Sequence, residues 1–195
     1  MRRTRDRKIV VYIATSADGY IARPDGSVDW LDRPRPPGNY GMGEFLRSID
    51  AVLWGRKTYE KAFGTSGKGT RSGSKIANYV FSRDPRFAPA RGFHLVREGV
   101  AEFARRLRAA PGKDVWMMGG GGLIASFLDE GEIDEFRIHV VPTLIGEGIP
   151  LIAPRHRTVP LRLLSVKRFP DGVARLHYAV PRKGEATGRS RGARS

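Results

Sequence analysis

The sequence predicts an α/β protein with a mostly parallel central sheet and an antiparallel C-terminal edge. Three observations carry that prediction. Apolar, β-branched runs alternate with helically spaced segments through most of the 195 residues. The runs at residues 8–15, 51–55 and 114–118 are apolar almost throughout, as strands covered on both faces must be. The last two runs, LRLLSVKRF and VARLHYAV, meet at Pro170-Asp171-Gly172, which has the composition of a hairpin turn.

Taken in order, KIVVYIAT (8–15) is the first strand. ADGYIARPDGSVDW holds two Asp-Gly pairs and a proline and reads as a loop or tight hairpin. Pro34, Pro36 and Pro37 make the next piece irregular. MGEFLRSI is a short helix, AVLWG (51–55) a second strand, and RKTYEKAF a helix. GTSGKGTRSGSK is a polar loop. IANYVFS (76–82) and FHLVRE supply two more strands. VAEFARRLRAA (100–110) is the clearest amphipathic helix, stopped by Pro111-Gly112. DVWMM (114–118) is a strand, GGLIASFLDEG a helix closed by Gly131, and EFRIHVVPTLI a strand contributing 135–141 to the sheet. No repeat and no interior linker divides the chain.

Composition narrows the function classes. The absence of cysteine excludes disulfides and cysteine–zinc sites, and His139, His156 and His177 lack metal-ligand spacing, so no metal is assigned. No run approaches the roughly 18 apolar residues of a membrane span. The basic N-terminus lacks the long apolar stretch and cleavage site of a signal peptide, so a soluble cytoplasmic protein is expected. Of the net charge of +15, eight units lie in residues 1–8 and 182–195. The expected division is a basic arm (1–7), one domain (8–181) and a basic tail (182–195) disordered by composition. Such ends favour weak phosphate binding, but no nucleic-acid motif accompanies them.

The stretch VWMMGGGGLIASFL places Gly119, Gly120, Gly121 and Gly122 between a strand and a helix. Bare backbone at a helix N-terminus offers unpaired N–H donors and partial positive charge, and no side chain keeps a phosphate away. The alternative is a plain glycine-rich turn, although two glycines suffice for that. GTSGKGT is not a Walker loop, since Gly69 follows Lys68. Gly120, Gly122 and Ala125 satisfy G-x-G-x-x-A, but no acid ends the next strand and the run is not in the first βα unit, which disfavours a standard Rossmann domain.

WGRKTYE sets Gly55, Arg56, Lys57 and Thr58 directly after a strand at the start of a helix, and YVFSR ends a strand with Ser82 and Arg83. Ligands of open α/β sheets sit beyond the carboxyl ends of the strands. Three phosphate-suited stretches at such ends fit one long polyphosphate ligand. Taken singly, Arg56 and Arg83 read equally well as solvated surface charges.

IATSADGYIA, Trp30, WGRKTYE, YVFSR and MMGGGGLIASFL, in this order, resemble dihydrofolate-reductase-like proteins, a three-layer fold. SADGYIA and VVPTLIGEG resemble the branch shared with the reductase domain of riboflavin biosynthesis. The resemblance covers roughly residues 8–180. It implies an NADPH-dependent reductase of a small heterocycle, of pteridine or ribosylamino-pyrimidine type, and a homodimer in which the terminal hairpin pairs with a second subunit. Ala14 and Ile21 would hold the nicotinamide carboxamide. Arg56, Lys57 and Thr58 would meet the adenosine side and pyrophosphate, Ser82 and Arg83 the 2′-phosphate, and Gly119–Gly122 with Leu123 and Ile124 the pyrophosphate.

Reduction also needs a proton. In true dihydrofolate reductases a carboxylate on the first helix serves. The matching position here falls near Gly41, which leaves Glu44, one turn later, and Asp32 as candidates. The alternatives are a non-catalytic nucleotide-binding protein of this fold and a basic nucleic-acid binder.

Overall fold

The apolar run after Lys8 becomes β1 (Ile9–Ser16) and lies inside an eight-stranded sheet. The computed structural model describes residues 7–64 and 75–182. Residues 1–6, 183–195 and most of the GTSGKGTRSGSK loop lie outside the described residues. The sheet also contains β3 (Ile49–Gly55), β4 (Ala77–Phe81), β5 (Phe93–Val96), β6 (Asp114–Gly119), β7 (Glu135–Val141), β9 (Arg162–Arg168) and β10 (Ala174–Ala179). Their order is β5-β4-β3-β6-β1-β7-β10-β9. Pairings from β5 to β7 are parallel, while β10 runs antiparallel to both β7 and β9.

Period-two alternation sends successive side chains to opposite faces, and both faces are covered. Ile9, Val11, Val115 and Met117 pack with Phe103 and Leu107 of α3 (Val100–Ala109) and with Ile124 and Phe127 of α4 (Gly121–Asp129). Val10, Tyr12, Val52 and Trp54 pack with Phe45 of α1 (Met42–Ser48) and Tyr59 of α2 (Arg56–Phe63). Phe103 and Phe127 are fully buried; truncating either to alanine costs about 3–5 kcal/mol.

The structure departs from the sequence reading in two places. Within ADGYIARPDGSVDW, β2 (Tyr20–Ala22) pairs not with its own neighbours but with β8 (Ile149–Pro150). Strands of two and three residues carry no periodicity to read. Gly148 allows this approach, since a Cβ there would lie 2.2 Å from the Ala22 carbonyl oxygen. Second, Arg7 is not part of a loose arm. It is buried, ion-paired with Asp50 and hydrogen-bonded to the carbonyls of Lys113 (2.8 Å) and Leu107 (3.2 Å). A charge is buried only when paired, and Asp50 lies too far along the chain for composition to reveal it. The strand read at 135–141 is β7, which stops at Val141 because Pro142 has no N–H to donate.

At the far edge, every residue of β9 is exposed, Leu163 at 53% and Val166 at 59%. No helix among the described residues is long and apolar enough to cross a membrane.

Candidate active site

Because β6 is inserted between β1 and β3, its glycine run emerges between the ends of those strands. Trp54 and Gly119 are register partners, and a Cβ on Gly55 would lie 3.4 Å from both the carbonyl oxygen of Gly119 and the nitrogen of Gly120. The question posed by four glycines therefore has a position-by-position answer. Gly119 has φ +102°, which disfavours any side chain. A Cβ at 120 would come 3.0 Å from Thr58 Oγ1, and one at 121 would come 2.5 Å from the Pro150 carbonyl oxygen. Gly122 alone faces open space. No side chain caps α4 at Gly120 or α2 at Gly55, so two helix N-termini with free donors lie beside each other at this edge.

The remaining residues of the predicted cofactor site fall around this edge with different roles. Ala14, Ile21 and Leu123 are half-buried and Lys57 is exposed. Ser82 is buried, and its hydroxyl accepts the Asp84 amide at 3.2 Å. Arg83 is exposed and forms no ion pair among the described residues. Two expectations change. Arg56 is not a free cation, since its guanidinium lies 2.7 Å from Asp84 and 3.5 Å from Glu60. The Ile124 side chain is fully buried against Gly119, and its amide donates to the Gly120 carbonyl at 3.1 Å, so it shapes the loop from beneath.

The two candidate acids are not brought together. Glu44 is exposed on α1 and lines a groove of about 620 Å³ with Tyr12, Gly41, Arg137, Arg175 and His177. Asp32 is exposed beyond the 3-10 turn Asp29–Leu31. Its neighbours Trp30, Arg33 and Pro34 line a shallow cleft with Asp171, but Asp32 itself does not.

Sequence reasoning missed a cluster next to that groove. His139 is buried, opposite Ala14 on β1 and Arg175 on β10. Its ring lies 4.6 Å from that of Tyr12 and 5.7 Å from that of Tyr40, and its Nε2 has no hydrogen-bond partner. Burial, with the Arg175 charge nearby, pushes the imidazole down to about 4. Tyr40 holds a left-handed backbone (φ +57°), donates its hydroxyl to Asp171 and accepts Tyr12 Oη on its carbonyl at 3.2 Å. Asn39 beside it also has positive φ (+44°), and a positive φ at tyrosine is invisible in a sequence.

The chain is 38% identical over 173 residues to "Uncharacterized protein YwjB" of Bacillus subtilis (strain 168), covering 89% of this chain and 98% of that one. It is 25% identical over 164 residues to "Riboflavin biosynthesis protein RibD" of Corynebacterium ammoniagenes, covering 74% of this chain but only 46% of the relative. Among solved structures, a Shewanella sp. PV-4 protein named for riboflavin biosynthesis superposes with TM-score 0.78 at 26% identity, over 90% of this chain and 99% of that chain. The diaminohydroxyphosphoribosylaminopyrimidine deaminase/5-amino-6-(5-phosphoribosylamino)uracil reductase of Thermotoga maritima shares the fold, with TM-score 0.68 at 16% identity over 90% of this chain and 57% of that one. The model of the RibD C-terminal domain family matches residues 7–174, and the chain belongs to that family.

Proposed function

We propose that this protein is an NADPH-dependent reductase of a small heterocyclic substrate, of pteridine or ribosylamino-pyrimidine type, working in the cytoplasm as a homodimer. The observation that carries the reading is the meeting of two uncapped helix N-termini at Gly55 and Gly120, with Gly122 left open. This is a cradle a Cβ would begin to fill, and it suits a diphosphate. Gly119–Gly122, Leu123 and Thr58 would hold the pyrophosphate, Ala14 and Ile21 the carboxamide, and Ser82 and Arg83 the 2′-phosphate. When bound, the nicotinamide supplies the hydride. Arg56 serves differently from the first expectation, neutralising Asp84 so that the acid does not repel the phosphate. Of the two candidate acids, Glu44 is retained as the group that delivers or steers a proton, because it lines a concave surface.

The test is calorimetric titration of the full chain with NADPH and NADH. Tighter binding of NADPH is expected, and absence of binding by either nucleotide defeats the reading. A second reading, a nucleotide-binding protein without catalysis, draws on the exposure of Glu44 and Asp32. It predicts the same titration with no NADPH oxidation when pteridines and pyrimidines are offered.

A further inference from the structure

The groove between α1 and the β7–β10 pair contains a cation that nothing in the fold uses. Arg175 is half-buried and forms no ion pair or hydrogen bond among the described residues. Its Nε is fully enclosed without an acceptor, and the neighbouring Nε of Arg137 is in the same condition. Glu135, the carboxylate of β7, is already committed to Lys8, Arg137 (3.2 Å) and His177 (2.8 Å). An enclosed N–H without an acceptor is costly, and here it is Nε alone, while the Nη donors reach the groove. The cost is kept here with the group facing an open groove of about 620 Å³. Gly41 borders that end, where a Cβ would meet Arg175 Nη1 at an ordinary contact distance of 3.7 Å. Lys113 and Arg137 add positive charge to the same lining, against Glu44 and Asp114.

We infer that this groove is a binding site for a small organic oxyanion, a carboxylate or phosphate group, received by the unpaired guanidinium of Arg175. Arginine suits either anion, because its planar fork meets two oxygens at once. The groove is the one Glu44 lines, so the inference rests on the proposed reductase reading in assigning the oxyanion to its substrate. The site shares no residue with the glycine edge, and anion binding at Arg175 is read separately from dinucleotide binding.

The experiment follows the Arg175 Nε–H resonance of the full chain by NMR during titration with inorganic phosphate or with benzoate, at ionic strength held constant with chloride. At least one probe is expected to move the Arg175 signal saturably, and which one does so separates phosphate from carboxylate recognition. Followed through the backbone amides of Arg137 and His177, which line the groove, Arg175→Gln should weaken that binding at least tenfold, with Arg175→Lys intermediate, while Arg106→Ala on α3 leaves it unchanged. Should Arg175→Gln fail to fold, the lysine variant and the wild-type signal still decide the matter. The inference is overturned if neither probe moves the signal, or if the affinity is the same in the Arg175 variants.

Discussion

Arg56 Nη1 lies 2.7 Å from Asp84 Oδ2, tying the first residue of α2 to the turn after β4. Glu60, one helical turn on, approaches the same guanidinium at 3.5 Å. Arg83, next to Asp84, forms no ion pair among the described residues and is left as a free cation at this corner. The discrimination of NADPH from NADH should therefore fall unevenly on the two arginines. Arg83→Ala is expected to weaken NADPH about tenfold, the worth of one charge-assisted contact, and to leave NADH nearly unchanged. Arg56→Ala should cost more, because it exposes two carboxylates to the phosphate. Asp84→Asn should tighten NADPH severalfold. Titration of each variant with both nucleotides checks this, and equal losses for NADPH and NADH in Arg83→Ala would remove that residue from the 2′-phosphate site.

Neighbouring glycines should respond in opposite ways. Gly121→Ala puts a methyl 2.5 Å from the backbone oxygen of Pro150 and should destabilise the fold. Gly122→Ala meets open space in a helix, where alanine is favoured over glycine by up to about 1 kcal/mol. That variant should be as stable as wild type or more so, yet bind the dinucleotide more weakly. Urea unfolding and nucleotide titration give the two readings. If Gly122→Ala binds normally, the run exists for packing alone.

Acid sensitivity should come in two separate windows. Burial of His139 depresses its imidazole to about 4, below its ordinary value. The unfolded chain therefore takes up a proton that the folded one refuses, and stability present above about pH 6.5 is lost as pH falls toward 4. Burial alone would raise the Glu135 carboxyl, but hydrogen bonds from Lys8 and His177 outweigh it and hold it down to about 2. Its contribution is complete above the ordinary glutamate range and disappears only as pH falls from there toward 2. One proton gives a slope of about 1.4 kcal/mol per pH unit at most. His139→Gln should flatten the upper window and leave the lower one. Denaturant unfolding at a series of pH values measures both, and an unchanged profile in His139→Gln contradicts the assignment.

The exposed edge strand β9 should be the seam of the homodimer. Leu163 and Val166 are 53% and 59% exposed on an unpaired edge, the kind of surface that proteins protect or pair. Light scattering should find a dimer for the wild type and a monomer of unchanged circular dichroism for Leu163→Lys/Val166→Lys. A wild-type monomer at high concentration ends this proposal.

Glu44→Gln should lower turnover by about 10²-fold or more while nucleotide affinity stays the same, as loss of a general acid does. Full activity in the variant transfers proton delivery to water or to another group.

Much of the fold and part of the site were legible beforehand, and the boundary between the two has a physical cause. Strands, helices and the C-terminal hairpin were readable because periodicity, proline and glycine act over a few neighbouring residues. KIVVYIAT and VAEFARRLRAA became β1 and α3 nearly residue for residue. The glycine run and the Gly55 and Ser82 stretches were legible as strand ends suited to phosphate for the same local reason. Tertiary structure alone decided who faces whom. It set Arg175 opposite His139, bound Arg56 to Asp84, buried Arg7 against Asp50 and paired β2 with β8. Such pairs depend on sheet order and register, which are fixed by burying one face of every strand at once and leave no mark on the spacing of residues along the chain.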